Sequence, residues 1–424
     1  MTAGRLFART APVLLALIVS PILAAAQTEN SVDVGGHKLY YQLHGRGTPT
    51  VVVDVGVGES IQPWLPIAAL LSKSASVLLY ERAGYGRSGM GPLPRDAKAE
   101  AADLKALLGK AGIKGPYILV GHSLGGMNMQ VFAREYPEGL AGWVLLDPPP
   151  RGWLVGKDFP ALKELFLRMT GDMEKSAAAA EKSGNEGERR QAPFLKTIAS
   201  EHREMFGSSA RSLLAVDSFG ALPVVVIASG RPNPQFGAEA DAYQKFWIEE
   251  NRKLARLSTA GEFVLAERST HQIHRDAPDV VLAAIRKLIA GAGERAAIER
   301  AIRDCIGWAK NKDFKVLYGA IAGDADFLEV QPDGKVVKGI EEFKKAESLW
   351  RNPDFKAVRY EIHDLKIKLS KSGDVAWFFC ILDDVNEWKG KPASWENTRW
   401  TGVLEKRAGR WVMAQQHFSF ARDK

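Results

Sequence analysis

A serine flanked by glycines stands out in the sequence GHSLGG, which contains Gly121, Ser123 and Gly125. The motif follows an apolar run at residues 117–120 that is typical of a buried strand, and it precedes a helix-like segment. On a sharp strand-to-helix turn Ser123 would expose its hydroxyl, and glycines two residues away would avoid a steric clash. The N–H of Leu124 would point at a developing oxyanion from a helix N-terminus. The pattern predicts acyl-transfer chemistry, with a plain glycine-rich turn as the alternative.

The elements needed to position this serine lie on both sides of it. Helix-like segments separate short runs rich in Val, Leu and Ile, at residues 50–55, 76–79, 117–120, 143–146 and 223–227. Such runs are typical of strands buried on both faces of a parallel sheet, and their alternation with helices predicts a doubly wound α/β fold. The alternation breaks at about residues 149–221, where a charged helical stretch predicts an inserted cap.

Residues 31–290 resemble the α/β-hydrolase family in several blocks that occur in the family's order. The matching blocks are VVVDVGVG from Val51, YERAGYGRS from Tyr80, the motif around Ser123, LLDP from Leu145, and STH ending at His271. The resemblance implies an α/β-hydrolase fold with a helical cap. It also implies a catalytic serine, acid and histidine in that chain order.

The resemblance further implies roles for individual residues. The backbone N–H of Val57 is the expected second oxyanion donor beside that of Leu124. The base is His271, at the family's motif position, or the nearby His274. A base at this point would activate the weakly nucleophilic serine.

The acid is harder to place because its usual position, just after the run at residues 223–227, carries no carboxylate. Asp147 ends the preceding predicted strand, where some family members place their acid. From there its carboxylate could reach Nδ1 of His271 and fix the tautomer. Glu239 and Asp241 are the alternatives, although acidic residues at a helix start have an ordinary explanation.

The substrate pocket is expected to be apolar. Its predicted members are Trp64 with His122 packed beside the serine, and the cap residues Trp153, Phe166, Met169 and Met173. These residues favour a small hydrophobic ester, although Ser123 does not distinguish ester, thioester, amide and carbon–carbon bond hydrolysis. The remaining histidines of this domain are expected at the surface: His37, His44 and His202.

The sequence changes character after Gly291-Ala292-Gly293, which predicts a linker between domains at residues 27–292 and 293–424. The second domain has helical stretches followed by long strand-like segments, an α+β order. It resembles the SnoaL-like branch of the nuclear-transport-factor-2-like superfamily in FLEV from Phe327, VKG from Val337, SGDVAW from Ser372, RWTGVL from Arg399 and the final WVMAQQHFS.

This second resemblance implies a cone-shaped α+β domain around a cavity, and homodimerisation through the open sheet face. The residues expected to line the cavity are Asp326, Trp377, Arg399, His417 and Ser419.

Residues 1–26 have the pattern of a secretory signal peptide. Arg5 and Arg9 precede an apolar run at residues 11–23, and three alanines precede an expected cleavage site before Gln27. The run is shorter than a membrane span, so we expect a periplasmic or secreted protein without a stable membrane anchor. An uncleaved anchor is the alternative.

Composition excludes several classes of function. The 424 residues carry a net charge of +7 without a dense basic stripe, which argues against nucleic acid as a partner. Two cysteines, Cys305 and Cys380, exclude a disulfide framework, and they either pair or remain free thiols. No metal-ligand cluster or phosphate-binding loop stands out, so no cofactor is expected.

The sequence therefore predicts an exported serine hydrolase that acts by acyl transfer on a small hydrophobic ester or a related carbonyl substrate. Two alternatives remain open. One is a ligand-binding or sensing protein with a vestigial hydrolase domain, and the other is isomerase or cyclase chemistry in the C-terminal cavity.

Overall fold

The structure, a computed structural model, describes residues 27–421, so the leader predicted at residues 1–26 lies outside the described residues. An eight-stranded sheet organises the first domain, in the order β1-β2-β4-β3-β5-β6-β7-β8. Its strands are β1 (Gln27–Asp33), β2 (Lys38–His44), β3 (Thr50–Asp54), β4 (Ser76–Tyr80), β5 (Tyr117–His122), β6 (Leu140–Leu146), β7 (Val224–Ser229) and β8 (Gly261–Ala266).

Helices cover both faces of this sheet. They are α1 (Leu65–Leu71), α2 (Ala97–Lys110), α3 (Leu124–Glu135), α4 (Arg151–Leu154), α5 (Pro160–Lys182), α6 (Glu186–Met205), α7 (Ser208–Leu214), α8 (Ala240–Ala255), α9 (Ile273–Asp276) and α10 (Pro278–Gly307), with 3-10 helices at Gln62–Trp64 and Pro234–Glu239. None of the helices within residues 27–421 combines the length and apolarity that a bilayer span requires.

The strands from β3 to β8 are parallel, whereas β1 and β2 pair antiparallel at one edge. Successive residues of a central strand enter different hydrophobic cores: Val52 packs in one cluster, and Val51 and Val53 pack in the other. Burial on both faces explains why these strands are continuous apolar runs. The predicted α/β fold is confirmed, and α4–α7 form the helical cap between β6 and β7.

A second sheet, in the order β10-β9-β15-β14-β12-β11, organises the rest of the chain, with β13 paired to β12. Its strands are β9 (Leu328–Val330), β10 (Val336–Lys338), β11 (Phe355–Leu369), β12 (Val375–Trp388), β13 (Lys391–Pro392), β14 (Trp395–Arg407) and β15 (Arg410–Ser419). The helices beside it are α11 (Phe314–Ala320), α12 (Ile340–Lys344), α13 (Glu347–Arg351) and a 3-10 helix at Trp308–Asn311.

Strand alternation decides which residues of this sheet face inward. Phe378, Cys380 and Leu382 of β12 are buried, whereas Trp377, which precedes them on the opposite side of the strand, is 46% exposed. Cys380 and Cys305 are both free, buried thiols.

The residues expected to line the C-terminal cavity lie elsewhere. Trp377, Arg399, His417 and Ser419 share the outer side of the pleat, and Asp326 is exposed before β9. The prediction was wrong because side chains alternate with a period of two, and a sequence block does not show its phase. The outer face around Trp377 is the one expected to dimerise, and that dimer stays a prediction.

The expected linker is helical. Residues 291–293 lie inside α10, which runs without interruption from the last turn of the first domain into the core of the second. Ala292 is buried, and the flanking Glu, Arg, Ala and Ile residues are good or acceptable helix formers, so the helix tolerates two glycines that each weaken it.

We therefore predict that Gly291→Ala and Gly293→Ala each stabilise the protein, by about 0.8–1 kcal/mol, in urea-induced unfolding. A new Cβ at either position meets no atom within 4 Å, so helix propensity alone decides the outcome. Gly112→Ala is the control, because its φ of +66° disfavours a side chain and the substitution should destabilise. A neutral result at Gly291 and Gly293 would mean that this segment is a flexible linker.

Candidate active site

The carboxyl ends of five adjacent strands, β3, β5, β6, β7 and β8, meet at one edge of the first sheet. Ligand sites of open parallel sheets lie at this edge. A cavity of about 210 Å³ lies here beneath the cap. Its apolar wall consists of Trp153, Phe166, Met205, Phe236, Tyr243 and Trp247, and its polar wall includes Glu59, Ser123, Asp147, Arg231, Asn233, Gln244, His271 and Gln272.

Ser123 occupies a strained turn between β5 and α3. Its φ of 54° and ψ of −120° lie in a region that residues other than glycine rarely adopt. The backbone around it leaves no room for side chains: a Cβ at Gly121 would lie 2.5 Å from the Gly125 carbonyl oxygen, and one at Gly125 would lie 2.3 Å from that of Asp54. Leu124 begins α3, so its N–H has no intrahelical acceptor and is available to a ligand.

Asp147 and His271 form a direct pair. Nδ1 of His271 lies 2.7 Å from Oδ2 of Asp147, a carboxylate that is 2% exposed. The other two acidic candidates, Glu239 and Asp241, are exposed at the start of α8. The structure therefore brings Asp147, and neither alternative, to the histidine.

Three further donors hold the Asp147 carboxylate. Oδ1 accepts from the Ser229 N–H and from Nε1 of Trp247, both at 2.9 Å. Oδ2 accepts from the Ser229 hydroxyl at 2.8 Å. Nε2 of Gln244 donates to the Ser229 carbonyl at 2.6 Å and lies 3.2 Å from its hydroxyl oxygen. Because Gln244 presents a donor there, the hydroxyl proton of Ser229 is directed to Asp147.

Two opposing effects set the pKa of His271. Burial by itself lowers the pKa, but the hydrogen bond that His271 donates to Asp147 and the negative charge of that carboxylate outweigh burial, and the pKa of His271 is raised above its ordinary value. Glu59 contributes in the same direction. The pair therefore stabilises the imidazolium that a general base becomes when it accepts a proton.

His122 lies beneath His271 and does not reach the cavity. Its Nδ1 is 2.9 Å from Oε2 of Glu59, and its Nε2 is 2.8 Å from the carbonyl oxygen of His271. Both ring nitrogens of His122 therefore face an oxygen acceptor. Burial raises the pKa of Glu59, but the hydrogen bond and charge of His122 outweigh that effect and hold it well below its usual range.

The second candidate base, His274, is buried and stacks on Trp64 with ring centroids 4.7 Å apart. Burial and the nearby His122 lower its pKa to about 3, which makes it a poor base. Trp64 is fully buried, so the expectation that Trp64 and His122 line the pocket was wrong. Both belong to the layer that supports the His271 loop, a distinction that spacing in the sequence does not show.

Other expectations also need correction. Trp153 and Phe166 line the cavity, but Met169 and Met173 of α5 are not among its lining residues, and Met169 is 42% exposed. Three histidines expected at the surface are buried instead, since each has a partner or a packed helix face around it: His37 beside Asp103, His44 beside Gln42, and His202 beside Phe166.

A buried arginine fixes the loop after β3. Arg82 donates to the carbonyls of Val55 and Gly56 at 2.7 Å and 3.0 Å, and to Asp54 at 2.5 Å. In a trans peptide the C=O and N–H point in opposite directions. Because the Gly56 carbonyl points at Arg82, the N–H of Val57 points away from Arg82, and Val57 is one of the residues that line the cavity.

The same guanidinium reaches the cap. Its Nε lies 2.8 Å from Oε1 of Glu201 in α6, and the Tyr85 hydroxyl donates to Oε2 of Glu201 at 2.5 Å. Tyr85 also accepts from the Gly58 N–H at 2.9 Å. One cation therefore joins the sheet, the loop and the cap.

Sequence reasoning missed several of these residues. Glu59, Ser229 and Gln244 support the histidine and acid, and Arg82 was seen only as part of a family block. The signal for Gln244 was available: it lies on the face of α8 that buries Tyr243 and Trp247. A polar side chain on an apolar helix face usually has a specific partner.

Comparison with known proteins gives the family. The sequence model of the alpha/beta hydrolase family matches residues 43–285, and that of the SnoaL-like domain matches residues 298–423. The "Uncharacterized protein YqjL" of Bacillus subtilis is 28% identical over 279 residues, which cover 65% of this chain and 97% of YqjL. The "Putative carbamate hydrolase RutD" of Azorhizobium caulinodans is 31% identical over 161 residues, 38% of this chain and 55% of RutD.

Among solved structures, a thermophilic esterase from Thermogutta terrifontis covers 63% of this chain and 99% of its own, with 22% identity and a TM-score of 0.48. The chain belongs to the alpha/beta hydrolase family. It is a hydrolase-family enzyme whose hydrolase domain is followed by a SnoaL-like domain, which confirms the predicted fusion.

We predict that Arg82→Met destabilises the protein by roughly 3–5 kcal/mol, because it leaves Asp54 and Glu201 buried without their cation. Urea-induced unfolding measures the change. Arg87→Met in the same segment is the matched control: Arg87 and its partner Glu29 are about half exposed, so its loss should stay below about 1 kcal/mol. Equal effects of the two substitutions would contradict the role assigned to Arg82.

Proposed function

We propose that this enzyme is a serine hydrolase with Ser123 as nucleophile, His271 as general base and Asp147 as the acid. The observation that carries the proposal is the 2.7 Å contact between Asp147 and His271 in the cavity that Ser123 also lines. The vestigial-domain alternative rested on the missing carboxylate after β7. Asp147, the residue after β6, supplies a carboxylate instead, and Ser229 at the end of β7 binds it.

The proposed reaction has two steps. His271 accepts the hydroxyl proton of Ser123 while the serine oxygen attacks the substrate carbonyl, and the resulting oxyanion is held by the N–H groups of Leu124 and Val57. His271 then donates its proton to the leaving group, which departs and leaves an acyl-serine. Water attacks that ester with His271 again as base, and the acid product leaves with the serine hydroxyl restored.

The cavity favours a small substrate with an apolar part. At about 210 Å³ it is below the usual range for drug-sized ligands, about 300–1,000 Å³. Aromatic rings from α4, α5 and α8 form one wall, which fits a short acyl or alcohol group. We therefore propose a short hydrophobic ester, and a carbamate belongs in the same substrate panel because of the relative's name. Export by the leader stays a prediction.

We predict that the enzyme hydrolyses p-nitrophenyl acetate and butyrate faster than the palmitate ester, and that Ser123→Ala lowers kcat/KM on the order of 10⁴- to 10⁶-fold. Ser218→Ala, at an exposed serine in the segment after α7, is the control and should leave the rate unchanged. Retention of turnover in Ser123→Ala would exclude the proposed nucleophile.

The pH dependence follows from the raised pKa of His271. Below that pKa the ring is protonated and cannot accept the Ser123 proton, so kcat/KM should fall as pH decreases through a value above the ordinary 6.5 or so. In Asp147→Asn the larger of the two raising effects is gone, while burial and the smaller effect of Glu59 remain, so this fall in rate at low pH, the acid limb of the profile, should move to lower pH.

The maximal rate of Asp147→Asn should also drop, on the order of 10³- to 10⁴-fold. Asp241→Asn, at the rejected candidate acid, is the control, and it should retain both the maximal rate and the pH at which the rate falls. An acid limb that stays in place in Asp147→Asn would show that another group titrates.

A further inference from the structure

The SnoaL-like domain encloses a second cavity, of about 590 Å³, which shares no lining residue with the cavity of the hydrolase domain. Its walls come from the end of α10, from α12 and α13, and from the inner face of the second sheet. The volume lies within the range of small-molecule sites, about 300–1,000 Å³, and exceeds that of the hydrolase cavity. The cavity is therefore large enough for a ligand of its own.

Polar side chains replace apolar ones where the inner face of the sheet reaches this cavity. Along β12 the inward residues Phe378, Cys380 and Leu382 give way to Asp384 and Asn386. Across the sheet, Glu329 of β9 pairs in register with Gln416 of β15, and both line the cavity. Glu329, Asn386 and Gln416 are each more than nine-tenths buried.

Two of these side chains present oxygen atoms that have no hydrogen-bond partner within residues 27–421. Nε2 of Gln416 donates to Oε2 of Glu329 at 2.7 Å, which fixes the amide and leaves Oε1 of Gln416 unpaired. Oδ1 of Asn386 is also buried and unpaired. Leaving a buried acceptor unpaired costs about 1–3 kcal/mol, so a bound molecule that donates hydrogen bonds to these two oxygens would be stabilised.

The groups that face this space are acceptors. Besides the two amide oxygens, the carboxyl groups of Glu329 and Asp384 line it, and burial raises the pKa of both. The basic residue of the lining, Lys335, is exposed at the rim, where water solvates its ammonium. A protonated amine supplies several hydrogen-bond donors and a positive charge, and both match this group of acceptors.

Aromatic rings form much of the remaining wall. Trp308, Trp350, Trp388, Trp395 and Phe418 line the cavity, with Trp308 packed edge-on against Trp350 at 5.2 Å. Indole and phenyl rings bind flat apolar groups, and their faces attract cations. The aromatic side chains therefore suit a flat apolar group of a ligand, and the polar side chains suit a group of the same ligand that donates hydrogen bonds.

We propose that the cavity of the SnoaL-like domain binds a small aromatic amine in its ammonium form, with Asp384, Asn386 and Gln416 as the groups that receive its N–H donors. This binding site is separate from the hydrolase site and does not depend on Ser123. If this proposal proves wrong, the proposed hydrolase function is unaffected.

The test is isothermal titration calorimetry of the full chain at pH 7 with tryptamine, and with tryptophol, which replaces the ammonium by a neutral hydroxyl. We expect tryptamine to bind at least about tenfold more tightly, since a charge-assisted hydrogen bond exceeds a neutral one by that much. Asp384→Asn should weaken tryptamine at least about tenfold and leave tryptophol nearly unchanged. Asp383→Asn is the matched control, because that neighbouring carboxylate points outward and contacts His363.

Asn386→Leu separates binding from folding. It removes an unpaired buried acceptor, so it should preserve or raise the thermal unfolding midpoint while it weakens tryptamine. Absence of tryptamine binding, equal affinity for tryptophol, or unchanged affinity in Asp384→Asn would each overturn the proposal.

Discussion

The buried guanidinium of Arg82 is the contact on which the arrangement of the first domain depends. It neutralises Asp54 at the end of β3 and Glu201 in the cap. It also donates to the backbone carbonyls of the loop that follows β3. A buried cation of this kind requires all of its partners, because a charge left unpaired in the interior is strongly destabilising. The position of the cap, the shape of the loop and the direction of the Val57 N–H therefore follow from one side chain.

The three histidines at the edge of the sheet show how environment assigns different roles to the same residue type. His271 contacts an anionic acceptor and keeps one face toward the cavity. His122 lies between Glu59 and the His271 carbonyl and positions the loop. His274 stacks on Trp64 without a hydrogen-bond partner within residues 27–421, which leaves it neutral. In the proposed mechanism, proton transfer is thereby confined to His271, which lines the same cavity as Ser123.

The parts of the site that sequence predicted are those with a local signature. The turn at Ser123 requires glycines at fixed positions, and buried parallel strands are continuous apolar runs, so both could be recognised. Asp147 could only be proposed among alternatives, because its identity depends on which strand end approaches His271. Trp64 was misplaced since an apolar side chain near the site in sequence can support the site from behind. The lining of the second cavity was missed because the phase of a strand is set by the core it packs on.

Activation of Ser123 as a nucleophile can be measured directly by intact mass spectrometry of the full chain after reaction with a fluorophosphonate, followed by peptide mapping. We expect one adduct, on Ser123, that is absent in Ser123→Ala and forms much more slowly in Asp147→Asn. A folded protein that acquires no adduct, or that acquires it on another serine, would show that Ser123 is not the activated nucleophile.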